Sequence, residues 1–584
     1  MYKRKYDLIS SKFKEFFLPT LFTSMAGNIC LFIDKIMVSL LICTSNFTAV
    51  QLVSPVITFT NLIYWMIGLG GSVLASVSKS EFNRKKANLY FTVSIISLVS
   101  IGILMMIFGL IFSDSIIHFL CSNNDLIPKV QAFYIVIILG LPFLCYMMSL
   151  SYFIRADGLP RLPFEAILLS NVVNIICDIL FMSVFNMGVG GAALASVVGY
   201  ILGSVYISIY FFKSERTFKI ISPFKIKTTS FFNYLKKICI SGFPSSSTQL
   251  FLTVNMFLIN SLLIVVSGSS GVLAFGSCWN CLYILYMFLI GSAQTMSPIV
   301  SVYNNEEDYS GVEYVVKKAL KVSFSAAFIL MAIFVIYPEL LLMVYRVNNP
   351  ADIPVVVNAI RLFSLSYLGT SVTFTYIFYA QAIENNKLSF IIACVQGFIV
   401  PIFGSYTLVN FIGINGIWIS FILADIIVIL FIFIYSKYLN KKTNGEYSGF
   451  FLIKNAKPDS VLDLTINGKI EEAVDLSKEV NEYLNKLKMK EKTSVIVSLA
   501  IEEMLVNIIE INEKIDTIDV LIKLQEKNIL ICIKDQGIEF NPTVEIDAEV
   551  NCSFDRVSIL NKIADKIDYE RVLGLNDTVI TIKN

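Results

Sequence analysis

The sequence predicts an all-α membrane body of twelve transmembrane helices in two six-helix lobes, followed by a cytoplasmic α/β sandwich domain. Three observations carry that expectation. The 584 residues are 56% hydrophobic and 15% charged, with a mean hydropathy of +0.71, a balance that soluble domains do not reach. Apolar windows of about 20 residues, each long enough to cross a hydrocarbon core, recur along most of the chain. Past residue 440 the sequence turns polar and changes to amphipathic helices and alternating strands.

The predicted spans are 15–42, 50–78, 88–112, 128–154, 162–185, 190–212, 235–266, 272–300, 315–346, 355–383, 387–411 and 415–438. The basic start, Met1-Tyr2-Lys3-Arg4-Lys5, is followed by no small-residue cleavage site, so the first apolar run reads as a helix rather than a removed signal. Lys79, Arg84, Lys85 and Lys86 follow span two, Arg155 and Arg161 span four, and Lys213, Arg216, Lys219, Lys225 and Lys227 span six. Lys387 and the pair Lys441 and Lys442 continue the series, while the intervening loops are nearly free of Lys and Arg. Positive-inside bias then places both termini in the cytoplasm of a multi-pass plasma-membrane protein. A formal net charge of +2 gives no sign of a nucleic-acid partner. The eleven cysteines lie mostly in apolar runs and read as reduced packing thiols; Cys278 and Cys281 form a CxxC without a second pair. His118 reads as exposed in an external loop.

Within span five, Asn174 and Asp178 lie one helical turn apart on one face of an otherwise apolar run. A carboxylate at membrane depth costs several kcal/mol unless a cation, a proton or a polar cavity compensates it, so it marks a transport path. The halves also repeat. Arg155-Ala156-Asp157-Gly158-Leu159-Pro160-Arg161-Leu162-Pro163-Phe164 aligns without a gap on Gln381-Ala382-Ile383-Glu384-Asn385-Asn386-Lys387-Leu388-Ser389-Phe390. Gly188 and Gly191 match Gly413 and Gly416 after a one-residue slip. Six spans per copy give both copies one orientation, the parallel repeat of rocking transporters. The body divides into lobes 1–213 and 214–440.

Arg155-Ala156-Asp157-Gly158 with Pro160, Asn174 with Asp178, and Gly188 to Ser196 resemble the signature of the MATE multidrug and toxic-compound exporters. Gln294 to Tyr303, around Ser297-Pro298-Ile299-Val300, and Gln381-Ala382 resemble the second-lobe counterparts, and the similarity covers about residues 10 to 440. The resemblance implies a cation-coupled antiporter, driven by Na+ or H+, that exports lipophilic or cationic small molecules by alternating access among membrane lipids. It places the coupling site at Asp34, in Phe32-Ile33-Asp34-Lys35-Ile36, with Asn174, Asp178 and Ser196. Two carboxylates and neutral oxygens suit a small hard cation or a shared proton. Structural readings stand beside these: a local pair for Asp34 with Lys35, and a helix-bonding role for Asp178. Arg155 and Asp157 read as a turn with gate-side contacts, and Glu384 as solvated. Spans seven and eight hold Gln249, Asn255, Asn260 and Asn280 but no carboxylate, which leaves the first lobe as the expected ion-coupling half. Tyr64, Trp65, Tyr146, Trp279, Tyr283 and Tyr286 would either line a cleft for flat cations or pack.

Residues 441–457 read as a polar linker and 458–584 as the soluble domain. Its expected order is strand 461–466, helices 469–489 and 492–512, strands 517–525 and 528–535, helix 555–565, and strands 567–572 and 577–583. Its motifs resemble the GHKL ATP-binding (Bergerat) fold, nearest the anti-sigma-factor serine kinases. In Leu499-Ala500-Ile501-Glu502-Glu503-Met504-Leu505-Val506-Asn507 the resemblance makes Glu503 a general base and Asn507 a magnesium ligand. Asp535-Gln536-Gly537 would receive adenine, so Asn507, Asp535 and Gly537 form the nucleotide set. The phosphate lid departs from the family, because Phe554-Asp555-Arg556-Val557-Ser558-Ile559-Leu560 has no glycine to bring backbone N–H groups close. No P-loop is present. The expectation is a secondary transporter rather than an enzyme, with a regulatory or vestigial tail for which ATP and Mg2+ are the possible ligands. The alternatives are a membrane-tethered signalling protein, whose tail binds or phosphorylates a cytoplasmic regulatory partner, and a lipid flippase.

Overall fold

The computed structural model describes residues 2–41, 44–120, 127–214, 216–222, 227–339, 352–455, 461–512, 514–543 and 553–584, with the side chains of 26–51, 54, 269 and 553–555 outside that description. Among the described residues ten helices are long and apolar enough to cross a membrane. They become eleven when Ile353–Ser364 and Ser366–Ala382, bent by 42° at their junction, count as one span. The first expected span, 15–42, corresponds to helix Asp7–Leu41; residue 42 and the side chains from 26 onward lie outside the described residues. Helix Thr228–Asn305 is two spans joined at Gly268, whose φ of 62° and ψ of −145° break the helix where only glycine fits without cost. The break at Leu365 carries neither Pro nor Gly.

The repeat seen in the sequence reappears in the backbone. Span three starts after left-handed Phe82, with Asn83 capping the N–H of Lys86 at 3.0 Å; span nine starts after left-handed Glu307, with Asp308 capping Gly311 at 2.9 Å. Gly188 and Gly413 share φ values of 60° and 61° at the starts of spans six and twelve. π-helical turns interrupt spans two, five and eleven at Trp65–Leu69, Ile179–Val184 and Val395–Ile399.

The segment expected as a polar linker holds a small hairpin, β1 (Tyr447–Ser448) with β2 (Ile453–Lys454). Its Phe451 stacks on Tyr376 at 5.5 Å and meets Tyr379 edge-on, so the tail joins the body through an aromatic anchor. Beyond it β3 (Val461–Asn467), β4 (Thr517–Leu524), β5 (Asn528–Asp535), β6 (Lys566–Val572) and β7 (Leu575–Lys583) form an antiparallel sheet in the order β3-β4-β5-β7-β6. The period-two alternation gives it two unlike faces. Leu464, Ile466, Val520, Ile531 and Ile580 pack with Val480 and Ile501 of helices Ile470–Lys486 and Glu491–Ile511. The other face carries Asp463, Thr465, Asp519, Lys523, Lys534 and Asp577, all directed at the membrane body.

Candidate functional site

Span five presents its polar pair to the interior. Asn174 is 4% exposed and Asp178 1%. Asp178 ends the regular helix, and the π turn Ile179–Val184 begins at the next residue, a local widening often found at functional sites. The amide Nδ2 of Asn174 donates to Ser196 Oγ at 3.2 Å, joining spans five and six. Gly199 makes that approach possible: a Cβ there would lie 2.6 Å from the Ser170 carbonyl. Three of the four sequence-predicted coupling residues therefore lie on these two neighbouring helices. Asp34 belongs to helix Asp7–Leu41, and its side chain lies outside the described residues.

The second lobe holds a carboxylate that the sequence reading passed over. Asp425, in helix Asn415–Lys442, is 2% exposed. It accepts from Thr370 Oγ1 at 2.8 Å, Thr373 Oγ1 at 3.0 Å and Gln396 Nε2 at 3.2 Å. Its signal was available, an acidic residue inside an apolar run, but in span twelve rather than in spans seven and eight. Of the aromatic residues, Tyr64, Trp65 and Trp279 are buried in packing, and Tyr283 is exposed. Trp65 meets Phe378 of the other lobe edge-on at 6.4 Å.

At the tail-bearing end the lobes touch. Arg155 donates to Gln294 Oε1 at 2.5 Å and Asn305 to Ser80 Oγ at 2.9 Å. A Cβ on Gly242 would lie 1.8 Å from the Met66 carbonyl, so backbone meets backbone across the lobe boundary. Asp157 is no simple loop carboxylate: it is buried, pairs with Lys79, and accepts from Tyr210 at 2.5 Å and from the N–H of Thr217 at 2.9 Å. Glu384 is exposed, as expected; His118 is exposed too, but in helix Ser113–Leu120 rather than in a loop. Cys278 and Cys281 are buried free thiols, and among the described residues no group of three or more His, Cys, Asp or Glu could hold a metal.

The tail docks on this end through one row of residues. Thr465 of β3 stands opposite Asp519 of β4, Asp519 opposite Lys534 of β5, Lys534 opposite Asp577 of β7, and Asp577 opposite Glu570 of β6. Arg4 reaches Asp519 at 3.5 Å, Asp463 at 3.1 Å and Asp308 at 2.8 Å. Lys534 pairs with Glu306 of the second lobe, and Glu570 with Arg84 of the first. The turn between β6 and β7 adds an apolar plug: Leu573, 1% exposed, joins the core of the body, beside Gly158.

Within the tail, Asp535 is buried, and its Oδ1 accepts from Gly537 N–H at 2.7 Å and Asn576 Nδ2 at 2.9 Å; burial raises its carboxyl above the usual range. Asn507 is fully buried, and neither of its side-chain polar atoms has a hydrogen-bond partner among the described residues. Glu503 is held by Arg556 at 3.0 Å, and Arg556 also reaches Glu510 at 3.4 Å.

The family profile described as MatE matches residues 19–180 and 244–407. The chain is 21% identical over 390 residues to the multidrug export protein MepA of Staphylococcus saprophyticus, across 65% of this chain and 83% of that protein. It is 21% identical over 421 residues to MepA of Staphylococcus haemolyticus, across 71% and 91%. Its fold matches an outward-facing multidrug resistance MATE family transporter of the MOP superfamily with a TM-score of 0.69 at 19% identity, over 74% of this chain and 96% of that one. A MOP superfamily transporter from Pyrococcus furiosus matches with the same score and identity, over 75% and 97%.

Proposed function

Because the chain belongs to the MatE family, whose members are secondary transporters rather than enzymes, we propose that it exports lipophilic or cationic small molecules by alternating access of two six-helix lobes, with both termini in the cytoplasm. The observation that carries the reading is Asp178, 1% exposed at the edge of a π turn and sharing a helix face with Asn174, which bonds Ser196. With Asp34 as fourth member, this set offers Na+ or H+ a charged and neutral oxygen environment inside an apolar lobe. Binding of the ion in one lobe state favours that state, and its release returns the other. The test is ethidium accumulation in cells carrying wild type or Asp178→Asn. Wild type lowers cellular dye and the variant does not; equal dye in both, with protein in the membrane, rejects the reading. Repeating the assay in sodium-free buffer with an imposed pH gradient separates the two ions.

The tail fits a regulatory module. Its charged row touches Glu306 of the second lobe and Arg84 of the first, so it straps together two bodies that must part for the cytoplasmic side to open. ATP with Mg2+ remains its candidate ligand on the strength of Asn507, a buried amide that a ligand would satisfy. Bound magnesium would screen phosphate charge there. Glu503 pairs with Arg556 at 3.0 Å, and no kinase step is assigned to it.

A further inference from the structure

The second lobe contains a buried acid that the first-lobe coupling set leaves unexplained. Asp425 receives hydrogen bonds from Thr370, Thr373 and Gln396, all neutral, and no Lys or Arg among the described residues pairs with it. The titratable side chain facing it from helix Thr228–Asn305 is the phenol Tyr286. We propose that Asp425 is a proton-binding site of the second lobe, alternating between a carboxylate held by three donors and a neutral carboxylic acid.

The geometry selects a proton over a metal cation. Hard cations require several oxygen lone pairs turned inward, whereas here two hydroxyls and an amide N–H point their hydrogens at the carboxylate. Space is lacking as well: a Cβ built on Gly369 would meet Asp425 Cβ at 2.4 Å, so the acid sits against the backbone of the neighbouring helix. A proton needs no volume. Both protonation states are accessible, because charge at membrane depth is costly while three hydrogen bonds to the charged form offset part of that cost.

Protonation changes what the neighbours do. The step is the addition of one H+ from water to a carboxylate oxygen, which turns that oxygen from acceptor to donor. Thr373 has one hydroxyl proton and other acceptors at hand, the carbonyls of Gly369 and Thr370, each at 3.2 Å. Its release, with that of Gln396, frees the π turn Val395–Ile399 from Asp425 and leaves Thr370, on the other carboxylate oxygen, as the remaining hydrogen bond between helix Asn415–Lys442 and helix Ser366–Ala382, the second arm of the bent span. Asp425 is thus a proton-controlled link at a kink, in the lobe opposite to Asp178.

Its role in export rests on the transport reading above, but the protonation itself does not, and infrared spectroscopy separates the two. Acid-minus-alkaline difference spectra of the full chain in lipid nanodiscs show a carboxylic-acid C=O band. That band is expected to persist in Asp178→Asn, with only the Asp178 share lost, and to lose its Asp425 component in Asp425→Asn. A spectrum of Asp425→Asn identical to wild type overturns the proposal. Gln396→Leu guards against misfolding of that variant: removing one donor to the charged form moves the Asp425 component toward higher pH by about one unit. An unmoved component also overturns it. A titrating Asp425 in a protein that fails the ethidium assay refutes export and leaves the proton site standing.

Discussion

A carboxylate trapped between a domain and its docking face reports the docking through its proton. Burial pushes Asp519 up to about 6, against the pull of Arg4. Burial also raises Glu306 well above the usual range, with Asp577 adding to it. At Asp308 burial acts the same way but Arg4 and Lys534 outweigh it, and the group ends below its ordinary value. The docked state thus holds a proton on Asp519 more tightly than the undocked state, whose carboxylate titrates at roughly 4. The contribution of Asp519 to docking is complete below that value and is lost as pH rises through about 6; Asp308 acts with the opposite sign, below its ordinary value. Limited proteolysis within 441–457 is therefore expected to accelerate as pH rises through that window, and Asp519→Asn to flatten the rise. An unchanged slope in the variant counts against this assignment. Polar residues among apolar ones were the legible part: Asn174, Asp178 and Ser196, like Asn171 beside them, stand out against the apolar side chains that dominate those helices. Asp425 obeys the same rule in span twelve, an acid inside an apolar run.

Single elements carry the docking. The turn Leu573-Gly574 has φ values of 55° and 74°, both left-handed, as tight hairpin connections require. For Leu that conformation costs about 1–2 kcal/mol, offset by burial of its side chain in the membrane body. Gly158 faces it at φ +94°, where a Cβ would lie 2.6 Å from the Gly574 nitrogen. Leu573→Ala is expected to cost about 2–5 kcal/mol of docking, read as faster proteolysis of the hairpin region 447–454 at fixed pH. Leu499→Ala, on the exposed tail surface, serves as a control that leaves it unchanged. The tail's helices and strands were legible in order and nearly in extent, since their periodicities of 3.6 and 2 are strong. The bend at Leu365 was not, because tertiary packing rather than Pro or Gly makes it. The aromatic anchor at Phe450 and Phe451 was hidden among the lysines and glycines that made 441–457 look like a linker.

At the scale of the molecule, the charged face of the sheet is the feature that sequence could not interpret. Alternation announces one polar face, and a polar face reads as solvated until a surface is found against it. Here that surface is both lobes at once. Removing 441–584 is expected to speed ethidium efflux on the order of 5-fold or more, the scale of an ordinary coupling energy between sites. An unchanged rate, with the truncated protein in the membrane, would reduce the strap to a passive fixture. The same arrangement has a consequence for assembly. Arg4 finds its partners in Asp308, Asp463 and Asp519, so a segment made early waits for strands made several hundred residues later. At about 5–20 residues per second that interval is tens of seconds. During translation the membrane body must therefore insert unlatched, and the latch closes only after β3 and β4 have been made.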